Sequence, residues 1–180
     1  MDRKKQMRTG FSLIELLVAI AIMAVLIALV LPNYLGARER ARDTKLKAEM
    51  NQLKNAMRMY YNDYQRYPAP ELVQGQATFY GCGANGTSQC IYTTPYPCPD
   101  FWFAAGGTGG CGTVYMKKPP TLNSGNGGFH YYQPDSDKFM LCVDYLENRS
   151  DLDAAVSRDR CAGMGISFIS TSTHFCVCSD

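Results

Sequence analysis

Eight cysteines, Cys82, Cys90, Cys98, Cys111, Cys142, Cys161, Cys176 and Cys178, all fall after residue 81 of a 180-residue chain. Thiols can act as nucleophiles, bind metal or pair. Zinc sites commonly use Cys-x₂₋₄-Cys spacings, and only Cys176-x-Cys178 comes near one. A thiol enzyme needs a reactive cysteine of low pKa, and no Cys/His nucleophile signature accompanies these. Disulfides are the economical reading. Eight cysteines allow 105 pairings; proximity favours Cys82 with Cys90 and Cys98 with Cys111. Cys176 and Cys178 share one face of a strand, so each pairs elsewhere. His130 and His174 lack a catalytic motif around them and read as half-buried strand histidines. The remaining chemically conspicuous residue is Glu15. It is the one charge in the apolar run from Phe11 to Leu31, where a carboxylate costs about 2.5–3.5 kcal/mol on insertion scales. Such a group has a function and a partner.

Phe11–Leu31 is 21 residues long, with only Ser12 and Glu15 polar. As a helix it spans about 30 Å, the thickness of a bilayer's hydrocarbon core. A secretory signal has a shorter apolar stretch and a small-x-small cleavage site; Pro32-Asn33-Tyr34 follows here. Residues 1–10 carry Arg3, Lys4, Lys5 and Arg8 against Asp2. Basic flanks stay cytoplasmic, so everything beyond Leu31 lies outside, where disulfides persist.

Pro32 removes a backbone donor and predicts a helix kink. Beyond it, Leu46, Met50, Leu53, Met57, Tyr60 and Tyr64 recur at steps of 4, 3, 4, 3 and 4, one face of an amphipathic helix. Tyr67-Pro68 stops it. The spacing therefore predicts a leader at 1–10, a transmembrane helix at 11–32, an amphipathic helix at 33–66 and an exported cysteine-rich β domain at 67–180. The basic cluster Arg38, Arg40, Arg42, Lys45 and Lys47 alternates with Glu39, Asp43 and Glu49 and reads as a solvated, salt-bridged face.

Residues 68–128 are rich in Gly, Pro, Thr and Ser and read as loops with little regular structure, stapled by cysteines. Strands are predicted at Thr113–Met116, at 129–132 with 138–143 as a hairpin, and at 174–178. The fold class is α+β: a long N-terminal transmembrane-plus-amphipathic helix packed on a small antiparallel sheet with disulfide-stapled loops. A net charge of +2 is too weak for an electrostatic nucleic-acid binder. The length excludes a large multidomain enzyme.

The run Gly10-Phe11-Ser12-Leu13-Ile14-Glu15-Leu16-Leu17-Val18 resembles the class III signal of type IV pilins and type II secretion pseudopilins. The likeness covers about Lys4 to Pro68. It implies cleavage between Gly10 and Phe11 by a prepilin peptidase, N-methylation of Phe11, and pairing of Glu15 with the Phe11 ammonium of a neighbouring subunit. It also implies a helix-bending Pro32, an inner-membrane assembly platform and lipid as partners, and copies of the chain or other pilins in a filament. The protein would be a single-pass inner or cytoplasmic membrane protein before assembly and a cell-surface or periplasmic filament after it. Catalysis and nucleic acid are not expected, and no cofactor is required. Lys117-Lys118-Pro119 loosely resembles the segment before the sheet in major pseudopilins, but Thr121-Leu122-Asn123-Ser124-Gly125 lacks their Asp-Pro-Trp, leaving pilus and pseudopilus both open. Major pseudopilins bind calcium near a loop placed like Asp144, Glu147, Asn148, Asp151 and Asp153. Asp144, Asp151 and Asp153 are therefore candidate calcium ligands, although EF-hand spacing is absent. The alternative function is a minor tip pilin acting as an adhesin or binding module.

Overall fold

The computed structural model describes residues 11–70, 79–90, 98, 101–122, 127–148, 151–164 and 174–179. The chain divides into two compact units at Glu39/Arg40, within helix α1, Leu13–Tyr64.

The first unit holds the apolar part of α1. An 18-residue window with mean hydropathy 3.1 makes it long and apolar enough to cross a membrane, and none of that window is buried within the protein. Leu13, Ile14, Leu16, Ile20, Met23 and Leu29 are each more than 60% exposed, which excludes a core helix and calls for a nonaqueous or subunit environment. The helix runs through Pro32, whose missing N–H leaves the Ala28 carbonyl without its helical donor.

The second unit is built on the rest of α1. Leu46, Met50, Leu53, Met57 and Tyr60 are buried at 3% exposure or less, and Tyr64 is half-buried, so the sequence stripe is the core face. The helix ends where Gln65 adopts a left-handed φ of 52° and its N–H bonds the Tyr61 carbonyl at 2.7 Å, a C-terminal cap ahead of Tyr67-Pro68.

Three small antiparallel sheets pack around this face. β1 (Ala69–Pro70), β2 (Phe79–Cys82) and β3 (Ser88–Cys90) form one, and β4 (Phe103–Ala105) with β5 (Thr113–Met116) a second. The third is β6 (Phe129–Asp135), β7 (Lys138–Val143) and β8 (Phe175–Cys178). Among the described residues, 68–128 carry five short strands: β5 as expected, and four more where little regular structure was expected. The strands are too short, and too interrupted by Gly and Pro, for alternation to reveal them. Aromatic rings bind the sheets to α1. Phe103 lies 5.5 Å from Tyr60, 4.9 Å from Phe79 and 4.9 Å from Tyr115, centroid to centroid.

The third sheet is covered on both faces. Phe139, Leu141, Val143, Phe175 and Val177 enter the aromatic core. Met140, Cys142, Cys176 and Cys178 form a second cluster with Cys161 of helix α2, Leu152–Cys161. Asp151 caps α2 by accepting the Asp153 N–H at 2.9 Å, and Arg158 and Arg160 lie in its last turn, where cations oppose the helix dipole. Sequence reading assigned no helix there.

Four disulfides join Cys82–Cys90, Cys98–Cys111, Cys142–Cys176 and Cys161–Cys178. Cys142 and Cys176 face each other in the β7–β8 register, and Cys178 reaches α2 instead. The Cys98–Cys111 staple closes a glycine-rich loop in which Gly110 has φ +79° and a Cβ would sit 2.5 Å from Gly83 Cα. Only glycine permits that backbone approach.

Candidate functional site

Gly10 and the residues before it, expected to form a leader, lie outside the described residues. Phe11 is 89% exposed. Ser12 precedes the first turn, and its carbonyl accepts the Leu16 N–H at 3.2 Å. Glu15 reaches back so that Oε2 accepts the Ser12 N–H at 2.9 Å. This is the acidic half of a capping box, with serine at the N-cap and glutamate three residues on. Glu15 therefore satisfies an otherwise orphaned donor at the start of an apolar helix, where a carboxylate also complements the helix dipole. The resemblance implies a partner in a neighbouring chain; the fold adds this local one. The Ser-x-x-Glu spacing was the available signal.

The acidic segment after β7 is tied to α1 at Glu147, Asn148 and Asp151. Asp43 of α1, 1% exposed, accepts the N–H groups of Glu147 and Asn148, one on each oxygen and both at 2.7 Å. Arg42 Nη1 meets Glu147 Oε2 at 2.9 Å. Lys47 Nζ meets Asp151 Oδ2 at 2.5 Å and Asp153 Oδ2 at 2.7 Å. This clasp ties the second half of α1 to the start of α2. The expected salt bridges are present, and Arg42 keeps a solvated side chain; Asp43 and Lys47 are instead withdrawn from solvent. Asp43 stands three residues before Leu46 on the apolar stripe, whose face is the buried one. Burial opposes the charge on both Lys47 and Asp151. Their mutual hydrogen bonds and charges outweigh it, raising the lysine pKa and lowering that of the aspartate.

The three candidate calcium ligands have other partners. Lys47 supplies the cation between Asp151 and Asp153. Asp144 faces histidines: its Oδ1 lies 2.7 Å from His130 Nε2 and 3.3 Å from His174 Nε2, and its Oδ2 accepts the Gly128 N–H at 2.8 Å. One carboxylate thus joins His130 near the start of β6 to His174, the residue before β8. Among the described residues, no group of three or more His, Cys, Asp or Glu side chains could hold a metal ion.

An apolar membrane-length helix opened by a Phe-Ser-x-x-Glu turn and continued into an α+β head defines the pilin-like class. Residues 5–31 match the family model for the prokaryotic N-terminal methylation motif. The chain is 35% identical over 105 residues to the type IV wide pilus major component PilA4 of Thermus thermophilus, covering 53% of this chain and 79% of that protein. It is 40% identical over 68 residues to type II secretion system core protein G of Aeromonas hydrophila, covering 38% of this chain and 48% of that protein. The corresponding Escherichia coli protein is 39% identical over 66 residues, 37% of this chain and 46% of its own length. The chain thus spans about half the length of the core protein G relatives it matches. No solved structure matches it significantly. The chain belongs to the family of type IV pilins and type II secretion pseudopilins.

Proposed function

We propose that the protein is a structural filament subunit, processed between Gly10 and Phe11, methylated on the Phe11 amine, and assembled through its apolar helix with copies of itself or other pilins. The observation that carries this reading is the wholly unburied apolar stretch of α1, interrupted by the single carboxylate of Glu15 beside the cleavage point. Cleavage by the peptidase places a new ammonium at Phe11. A carboxylate from an adjacent helix removes its desolvation cost, and its own cost is removed in return. A subunit out of register leaves both charges unpaired. Glu15 then has two roles: its hydrogen bond to Ser12 orients it at the helix start, and its charge selects register.

The basic leader stays on the cytoplasmic side and the disulfide-stapled head is exported. Before assembly the apolar helix rests in the inner or cytoplasmic membrane, from which an assembly platform withdraws it. After processing the chain has 14 Lys and Arg against 15 Asp and Glu, close to neutral, which suits close packing of copies. Pro32 provides a weak point in α1 at which the helix can bend. Calcium binding at Asp151 and Asp153 requires displacement of Lys47.

The experiment compares Glu15→Gln with wild type in cells that carry the peptidase. Glutamine keeps an acceptor for the Ser12 N–H and removes the charge. Processed, membrane-retained Glu15→Gln with little sheared filament supports the reading. Normal filament yield from that variant refutes the assembly role of Glu15.

A further inference from the structure

The outward stripe of α2 is Leu152, Val156 and Arg160, spaced four residues apart. Leu152 is 79% exposed and Val156 56% exposed, unusual on a helix whose opposite face is sealed by Cys161 and Ser157. A cleft of about 230 Å³ runs between α2 and α1, with Val156 and Arg160 on one wall and Asn51 and Lys54 on the other. Arg58 stands one turn beyond Lys54 on α1 and, with Arg160, adds positive potential at the Lys54 ammonium. The cleft therefore joins an apolar wall to a rim with a cationic surplus: Lys54 and Arg160 stand beside Lys47, which is paired with Asp153 of the same lining. That combination suits a short segment presenting a small apolar residue and carboxylates.

The second half of the chain displays such a segment elsewhere. The β6–β7 hairpin turns at Pro134-Asp135-Ser136-Asp137-Lys138, and all five residues are exposed. Asp137 N–H bonds Asp135 Oδ1 at 2.9 Å, and Ser136 carbonyl accepts the Tyr67 N–H at 2.7 Å. The tip is thus pre-ordered, which lowers the entropic cost of docking. None of its residues lines the cleft; within the chain Asp137 Oδ1 accepts the Tyr61 hydroxyl at 3.1 Å.

We propose that the α1–α2 cleft receives the β6–β7 hairpin tip of a second copy, with Asp135 and Asp137 against Lys54 and Arg160, and Pro134 against Val156. The contact joins two different surfaces, so it is head-to-tail and propagates without closing. It rests on the filament reading above and deepens it by naming a contact between the heads.

The test places a photo-crosslinking benzoylphenylalanine at Val156 in the full chain, irradiates assembled filaments and maps the linked peptide. A link to the peptide containing Asp135 and Asp137 of another copy is expected. A link only to a different segment, or to another protein, overturns the proposal. In parallel, Arg160→Glu and Asp135→Lys should each lower sheared filament yield about tenfold, the scale set by roughly 1.4 kcal/mol per contact. The double variant should recover most of it. Full yield from both single variants, or no recovery in the double, overturns the contact. Wild type and Glu15→Gln run alongside separate the two claims. If wild type assembles and Glu15→Gln does not, normal cleft variants refute this contact alone. Absence of the wild-type chain from sheared filaments refutes the filament reading and the contact with it.

Discussion

Asp43 receives the backbone N–H of Glu147 at 2.7 Å and holds the next N–H, that of Asn148, on its other oxygen. A side chain of the long helix thus replaces the hydrogen bonds that an irregular segment cannot make with itself. Asp43→Ala leaves two part-buried donors without their acceptor, at up to about 1–3 kcal/mol each before relaxation. The expected result is a loss of about 2–4 kcal/mol in urea unfolding of the oxidised protein, with Asp43→Asn less damaging because it keeps one acceptor. Equal stability of wild type and Asp43→Ala would contradict that role.

Lys47 and Asp151 give this clasp a pH signature. The lysine pKa is raised in the fold and that of the aspartate lowered. The lysine contribution is complete below its unfolded value, about 10.4, and is lost as pH rises through its higher folded value. The aspartate contribution is complete above its unfolded value, about 3.9, and is lost as pH falls through its lower folded value. Lys47→Met should therefore be destabilised by a constant amount, about 1–2 kcal/mol, between roughly pH 5 and 9. The gap to wild type should narrow outside that window. Thermal unfolding across pH measures it, and a gap that widens toward acid would count against the pair.

Cys142 and Cys176 bridge β7 to β8 across a sequence separation of 34, and the segment between them includes α2. Their replacement by serine together should cost about 2–4 kcal/mol. It should also loosen α2 and β8, read as faster amide exchange there than in β2 and β3. Uniform exchange across the head would argue against a local staple.

Gly86 has φ +64°, and a Cβ there would stand 2.9 Å from the Tyr60 hydroxyl, which donates to the Gly86 carbonyl at 2.7 Å. Gly86→Ala combines left-handed strain with the loss of that bond and should cost about 1–3 kcal/mol. Urea unfolding of the oxidised protein checks it. Unchanged stability would place the turn elsewhere.

The long helix was legible because its signals are long and regular. Twenty-one nearly unbroken apolar residues and six stripe positions repeat one pattern, and five of the six stripe residues are buried. The β6–β7 hairpin was legible for the same reason, having two apolar runs around a polar turn. The α2 helix was not, because it has ten residues and two exposed aliphatic side chains that break the usual apolar-face pattern. The charge of Asp43 points to solvent, whereas its stripe position points to the core, and position wins. Which donors Asp43 would meet depends on residues about a hundred positions away, which no local pattern encodes. Asp144 illustrates the same limit: its carboxylate suited a calcium site by composition, whereas the fold brings His130 and His174 to it.

The central claim is that Phe11 becomes the first residue of a filament subunit. Intact mass and N-terminal sequencing of the protein from its native membrane test it most directly. The expected result is a chain beginning at N-methylated Phe11. A chain that retains Met1 in a host with active prepilin peptidase would contradict it.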